Sequence, residues 1–359
     1  MSVFKPHPLF FPGMVMREVK VSLFGFGNVG KAVARVLLEK ERFFRERYGI
    51  ALKVVSVADT SGVVWLPEGI DLQEALLVKE TFGKLSAWTN DYEVYNFTPE
   101  EAVEEIDADI VIDVTNDRNA WGWHLTALRE GKAVITSNKP PLAFHYAELV
   151  GEAEKRDVPY LFEATVMAGT PVIGILRENL LGDTVKRIEA VLNATTTFIL
   201  SRMEEGITFE DALKEAQSLG IAERDPSGDI LGTDAGYKAT ILHCVAFGPI
   251  TFREAMVKGI DGISQEKVKE ARSRDRTVRL VAVVEKGKVI VEPREVPLDS
   301  PLAVESHENA AVIKTDLLGE LVVKGAGAGL KETASGVVSD VIKAALMLWG
   351  RFLSPPEEM

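Results

Sequence analysis

Two hydrophobic patterns alternate along the first half of the chain. Val19 to Phe24 is almost wholly apolar, whereas Lys31 to Lys40 repeats its apolar residues every three or four positions. The first pattern reads as a buried strand and the second as an amphipathic helix. Strand-like runs recur at Leu52 to Ala58, Ala108 to Val114, Ala133 to Thr136 and Tyr160 to Glu163. Val172 to Leu181 then reads as a helix. From Val185 to Leu192 apolar and polar positions alternate, the mark of a strand with one covered face. Helices are expected at Phe209 to Leu219 and Tyr237 to Phe247, and strands at Val278 to Val284, Lys288 to Val291 and Ala311 to Thr315. Gly319 to Lys324 is apolar again, and Glu332 to Leu348 is strongly helical. These elements predict an α/β first domain over residues 1–170 and a mixed α+β second domain over 171–318. Gly325 to Gly329 is a glycine-rich turn feeding the last helix, so residues 319–359 are expected to return to the first domain.

The join between the first strand and helix carries chemistry. Gly25-Phe26-Gly27-Asn28-Val29-Gly30 has the spacing G-x-G-x-x-G. In a dinucleotide-binding turn the first glycine permits the tight bend and the second lets a pyrophosphate approach the backbone. The third lets helix and strand pack closely. The helix N-terminus then offers free N–H groups to the phosphates. This predicts a Rossmann-type parallel sheet binding NAD or NADP. Asp59 ends the second strand, 59 − 25 = 34 residues after the first glycine. That exceeds the usual spacing of about 20, and the segment Glu39 to Tyr48 accounts for the excess by lengthening the helix. Asp59 is thus a candidate ribose ligand, or else it caps the turn into Ser61-Gly62. Thr115 and Asn116 lie at another strand end, where open α/β sheets bind ligands. Lys139 precedes Pro140-Pro141, which should stop a helix and fix a rigid turn there. It is either a solvated loop lysine or a fixed cation in the crevice.

A second dense stretch is Ala222 to Leu242, which holds Glu223, Asp225, Asp229, Asp234 and Lys238. Pro226, Gly228 and Gly232 break its first half into a loop. Thr233 is a plausible N-cap for a helix with Ala235, Ala239 and Leu242 on its apolar stripe. Asp234 and Lys238, four apart, then share one helix face. Such pairs are usually surface salt bridges of little consequence. At a loop-to-helix junction they also suit a site that grips a small amino acid and moves a proton.

Composition narrows the partners. Of 359 residues, 46% are hydrophobic and 26% charged, which fits a folded globular protein. A net charge of −13 opposes binding to nucleic acid or an anionic membrane. The single cysteine, Cys244, excludes an intramolecular disulfide and lies in an apolar helix. No apolar run is long enough to span a membrane. The N-terminal segment, with three prolines, does not read as a signal peptide. A cytoplasmic enzyme is expected, with an N-terminal arm of about a dozen residues.

Taken together, the ordered motifs resemble homoserine dehydrogenase along nearly the whole chain. They are Gly25 to Gly30, Thr136-Ser137-Asn138-Lys139, Phe162 to Pro171, Leu192 to Leu200, and Ala222-Glu223 through Asp225-Pro226 to Gly232-Thr233-Asp234 and Lys238. Gly325 to Gly329 with Thr333-Ala334 completes the set. The resemblance is to a monofunctional, archaeal-type member without the regulatory ACT domain or a fused aspartate kinase. It implies interconversion of L-homoserine and L-aspartate 4-semialdehyde, a step of threonine and methionine biosynthesis, by a homodimer. Lys238 would be the general acid/base, with Lys139 a second candidate. Glu223 and Asp234 would hold the substrate ammonium, with Thr195 and Lys139 also on the substrate. Gly327 and Gly329 would line the nicotinamide. Glu163 and the carbonyls of Val166, Ala168 and Thr170 would bind a structural sodium ion. Some archaeal relatives carry an arginine directly after the second-strand aspartate, clasping the NADP phosphate. Here Thr60 stands in that place, and Lys79, with the segment near Lys84, could still approach the phosphate.

Three other readings compete. An acyl-phosphate-forming aldehyde dehydrogenase needs a nucleophilic cysteine near a base, and only Cys244 is available. A Rossmann oxidoreductase of another substrate class shares the glycine turn. A nucleotide-sensing regulator needs no Glu223, Asp234 and Lys238 set, and no basic DNA-binding segment is present.

Overall fold

The structure, a computed structural model, describes residues 16–88 and 92–349. The N-terminal arm expected from the sequence lies outside the described residues. In chain order the first layer contains β1 (Arg17–Phe24), α1 (Asn28–Tyr48), β2 (Ile50–Asp59), β3 (Gly62–Trp65), α2 (Leu72–Phe82), β4 (Val94–Tyr95) and α3 (Pro99–Glu105). It continues with β5 (Ile110–Asp113), α4 (Trp121–Arg129), β6 (Ala133–Thr136), α5 (Lys139–Arg156) and β7 (Tyr160–Leu161). The second layer contains β8 (Val185–Val191), α6 (Ala194–Glu204), α7 (Phe209–Ser218), α8 (Ser227–Ile230), α9 (Thr233–Phe247), β9 (Met256–Val257) and α10 (Gln265–Arg272). Its remaining strands are β10 (Arg276–Glu285), β11 (Lys288–Pro297), β12 (Glu308–Thr315) and β13 (Glu320–Ala326), and α11 (Leu330–Leu348) closes the described chain.

The described residues form a seven-stranded sheet in the order β4-β3-β2-β1-β5-β6-β7. The five strands from β2 to β7 run parallel, and the β3–β4 edge is antiparallel. Strand order reverses between β1 and β5, so a crevice opens at their C-terminal ends. Apolar residues of α1 and α11 cover one face, and those of α3, α4 and α5 cover the other. The second sheet has the order β13-β12-β8-β10-β11-β9. Along β10, Val278, Leu280, Ala282 and Val284 pack toward the helices, while Val281 and Val283 join a small cluster under residues 296–312. One continuous core runs from α3–α5 through α9 into the second sheet, so the two layers share their interior.

Several expectations are corrected. Pro140 and Pro141 do not stop a helix but occupy the first turn of α5. The missing N–H groups cost nothing there, because first-turn amides have no intrahelical partner. The helix expected at Val172 to Leu181 is a short π-helical turn over Ile175–Asn179. Thr233 is not the N-cap of α9. Gly232 takes that place with φ 79°, where a side chain is strained. The expected apolar stripe of α9 widens to burial of every residue from Ala235 to Cys244, because the helix lies inside the shared core. The return to the first layer begins not at 319 but at Leu330, since β13 pairs with β12.

Candidate active site

The glycine turn is built by backbone crowding. Gly25 has φ 96°, and a Cβ on it would lie 2.8 Å from the Val114 carbonyl at the end of β5. A Cβ on Gly30 would lie 2.3 Å from the Gly25 oxygen, whereas one on Gly27 would meet nothing. Gly25 and Gly30 therefore serve the fold, and Gly27 leaves open space for a ligand. The Gly25 and Phe26 N–H groups both donate to the Ala58 carbonyl, at 2.9 and 2.8 Å. Phe26 is fully buried and anchors the turn. Asn28 and Gly27 are exposed, Val29 is half-buried, and α1 begins at Asn28 without a side-chain cap or an acidic first turn. That leaves the helix N-terminus open to an anion.

Asp59 and Lys79 meet at the end of β2. Asp59 accepts from Ser61 N and Oγ at 2.7 and 2.6 Å and from Leu85 N at 3.0 Å, and it pairs with the Lys79 ammonium. Burial would raise its pKa, but Lys79 and these donors outweigh burial and hold it below the ordinary carboxylate value. Both its oxygens are engaged by the protein, and its side chain is 5% exposed. Thr60 beside it is exposed.

The second cluster surrounds Asp234. Lys238 Nζ lies 2.7 Å from Asp234 Oδ2 and donates to the Leu192 carbonyl at 2.8 Å. Lys139 approaches the other oxygen, Oδ1, at 3.5 Å. Asp234 thus sits between two ammonium groups, one from each layer. Burial opposes its ionisation, yet Lys238, Lys139 and Asn193 hold the carboxyl well below its ordinary pKa. Asn193, at the end of β8, was not singled out by the sequence. Its Nδ2 donates to Asp229 Oδ1 at 2.6 Å and Asp234 Oδ2 at 3.0 Å, while its Oδ1 caps α6 through Thr196 N. Asp229 was also missed as a site residue; burial and the neighbouring Asp234 push its pKa up. The signal for Asn193 was present, since Asn before a threonine-rich helix start is an N-cap pattern.

A cleft of about 760 Å³ runs past this cluster, lined among others by Asn116, Thr195, Glu223, Asp229, Lys238 and Gly327. Gly329 and Glu332 border it too. Glu223 is exposed, and Thr195 is buried and donates to the Ile221 carbonyl at 3.2 Å. Asn116 joins the cleft to the glycine turn, because it follows Val114, against which Gly25 packs. Thr115 turns inward and donates to Asp113 Oδ1 at 2.7 Å. Several carboxylates along the cleft suit a ligand with an ammonium group. Lys238 has three donors, and Asp234 and Leu192 take two, which leaves one for a substrate oxygen.

Comparison with known proteins follows from this geometry. A family model described as "Homoserine dehydrogenase, NAD binding domain" matches residues 25–163, and one described as "Homoserine dehydrogenase" matches residues 171–342. The homoserine dehydrogenase of Pyrococcus horikoshii is 51% identical over 92% of this chain and 98% of its own. The chain belongs to the homoserine dehydrogenase family. A solved hyperthermophilic archaeal homoserine dehydrogenase in complex with NADPH has 50% identity and a TM-score of 0.84, covering 92% of this chain and 98% of that one. The NAD(+)-dependent homoserine dehydrogenase of Pseudomonas canavaninivorans is 33% identical over 91% of this chain and 96% of its own. The chain is therefore an NAD(P)-dependent oxidoreductase acting on a CH–OH group. Cys244 agrees with that chemistry in being no nucleophile: it is buried, and burial pushes its thiol up to about 11.

Proposed function

We propose that Lys238 delivers and removes the proton at the substrate oxygen while hydride passes between the substrate carbon and the nicotinamide. The supporting observation is the Lys238 ammonium, fixed between Asp234 and the Leu192 carbonyl with one donor left for the cleft. Such fixing holds the group in place before substrate arrives. Lys139, Asp234, Glu223 and Thr195 then orient homoserine or aspartate 4-semialdehyde, with the carboxylates against its ammonium. Gly327 and Gly329 lie over the nicotinamide, and Gly25 to Gly30, Thr115 and Asn116 hold the rest of the dinucleotide. Lys238→Ala is expected to lower kcat by about 10²–10⁴-fold with cofactor binding retained. Homoserine oxidation followed by absorbance, beside a cofactor titration, checks it; wild-type kcat in the variant removes Lys238 from this role.

Both cofactors are expected to work. Lys79 neutralises Asp59, so repulsion of a 2′-phosphate is weak, and exposed Thr60 offers it a hydroxyl donor. NAD keeps the ribose edge without needing a dedicated cation. Each effect is worth about 1 kcal/mol, so kcat/KM for NAD and NADP should differ by no more than about a hundredfold. Measuring both at one ionic strength tests this; a thousandfold preference means the ribose edge lies elsewhere.

A structural sodium ion in the loop after β7 would draw on the Glu163 carboxylate for at most one further lone pair. That carboxylate accepts the N–H groups of Val172, Ile173 and Gly174 at 2.8, 2.8 and 2.7 Å. Met167 and Ala168 both take positive φ, and this turned backbone supports the Val166, Ala168 and Thr170 carbonyls as oxygen donors for the ion. Homodimerisation is supported by the open β13 edge, with Leu317 and Leu318 78% and 59% exposed beside it. A cytoplasmic setting, in threonine and methionine biosynthesis, accords with the lone unpaired Cys244. Among the described residues no helix is long and apolar enough to cross a membrane.

A further inference from the structure

Asp113 ends β5 inside an apolar run and is completely buried. Its carboxyl nevertheless accepts from five donors. Oδ1 takes Thr115 N at 2.8 Å and Thr115 Oγ1 at 2.7 Å. Oδ2 takes His124 Nε2 at 3.0 Å, Thr136 Oγ1 at 3.2 Å and Asn138 Nδ2 at 3.1 Å. A carboxylate offers about four lone-pair sites, so this one is saturated. Behind it, His124 Nδ1 lies 3.0 Å from the Tyr160 hydroxyl. Burial raises the Tyr160 phenol far above its ordinary pKa, so it remains an O–H donor. His124 thus links the two, with Nε2 facing the Asp113 carboxyl and Nδ1 facing the Tyr160 hydroxyl.

Two of the segments joined here reach the site, since Asn116, Asn138 and Lys139 border a pocket together with Asp234. Asn138 stands at the N-cap of α5, yet its side chain makes no capping bond. It donates instead to Asp113 and, at 2.7 Å, to the Asp117 carbonyl. The loop after β6, which leads into Lys139 at the start of α5, is thereby tied to the loop after β5, which carries Asn116. Lys139 in turn reaches Asp234 from the other layer. An apolar residue at 113 would remove the bonds to Thr115, Thr136 and Asn138 and leave the two loops tied by fewer bonds, among them that of Asn138 to the Asp117 carbonyl.

We infer that Asp113, backed by His124 and Tyr160, is a positioning residue for hydride transfer: it sets the loops of Asn116 and Lys139 relative to each other and so aligns nicotinamide with substrate. The inference rests on the family's reaction and not on the role given to Lys238, whose own variant tests that role separately. Asp113→Asn keeps the shape but replaces one acceptor oxygen with a donor. In the full chain, below its melting temperature, it should lower kcat by about tenfold or more, since small misplacements carry costs up to about 10². With homoserine deuterated at the hydroxymethyl carbon, the primary isotope effect on kcat should rise, because a misaligned transfer step becomes rate-limiting. A merely structural role would reduce the active fraction and leave the isotope effect as in the wild type; that result overturns the inference, as does unchanged kcat. Should Asp113→Asn fail to fold, Asn138→Ala cuts the same tie from the start of α5. It should give the same fall in kcat and rise in isotope effect, and wild-type values for both would overturn the inference equally.

Discussion

Asn193 shows how one side chain can organise a charged site. Its amide separates Asp229 from Asp234, and its carbonyl oxygen caps α6, so the end of β8 and the start of α6 are fixed together. Asn193→Ala would leave two carboxylates facing each other without a donor between them. The KM for homoserine should rise about tenfold, in line with loss of hydrogen bonds to charged groups, while the KM for cofactor changes little. Steady-state kinetics with each substrate varied in turn checks the split, and equal changes in both would assign Asn193 to general stability. Residues such as Lys238 and Asp234 were legible in the sequence because four-residue spacing on a helix puts them together without knowledge of the fold. Asp113 was not, and of Asn193 only the cap of α6 was, because their other partners come from other strands and helices. Their meaning depends on strand register, which spacing along the chain does not encode. Asp59 was legible as a strand-end acid, but its engagement by Ser61, Leu85 and Lys79 became visible only in three dimensions.

At the scale of elements, the glycine turn separates folding from binding. Gly30→Ala would force a Cβ to 2.3 Å from the Gly25 carbonyl oxygen, so the strand and α1 must move apart. Gly27→Ala meets no protein atom. The first variant should melt well below the wild type. The second should melt normally and lose affinity for NAD and NADP. Thermal melts with and without cofactor distinguish them; matching melting temperatures for both variants would contradict the assignment. A second element-level device joins the loop after β7 to α11. Asp340 accepts the Glu163 N–H at 2.7 Å, and its pKa is raised to about 7 by burial, with Glu163 adding to the rise. Between about pH 4 and pH 7 the folded state holds this proton and the unfolded state does not. Stability from this group is therefore greatest below pH 4, falls as pH rises to 7, and is level above. Asp340→Asn keeps the acceptor without the charge. Relative to the wild type it should gain stability with rising pH, by up to about 4 kcal/mol at pH 8. Denaturant titrations at pH 5 and pH 8 measure this, and a difference independent of pH would show that Asp340 does not titrate there.

For the whole molecule, the alternation of strand and helix patterns was enough to predict a parallel sheet, though not its strand order, and the glycine-rich turn at 325–329 pointed to a C-terminal return. The shared core was not visible, because a helix buried all round that still carries Lys238, Thr240 and His243 cannot be told in sequence from one buried along a single stripe. The short β3 and β4 strands and the helix behind Pro140-Pro141 were also missed, the first for brevity and the second because prolines at a helix start were read as a stop.

The placement of α11 carries one more consequence. This helix lies against α1, and its Ala334, Val337, Val338 and Val341 complete the same apolar cluster as Val19, Val21 and Val33. On the ribosome, β1 and α1 emerge early, yet the surface meant for α11 stays bare until the entire second layer has been synthesised. Domains generally fold as units in order of synthesis, and here that order is inverted for the nucleotide-binding layer. The half that emerges first is sealed by a helix made afterwards, so a growing chain must keep Val33 and its neighbours from other apolar segments for most of its translation.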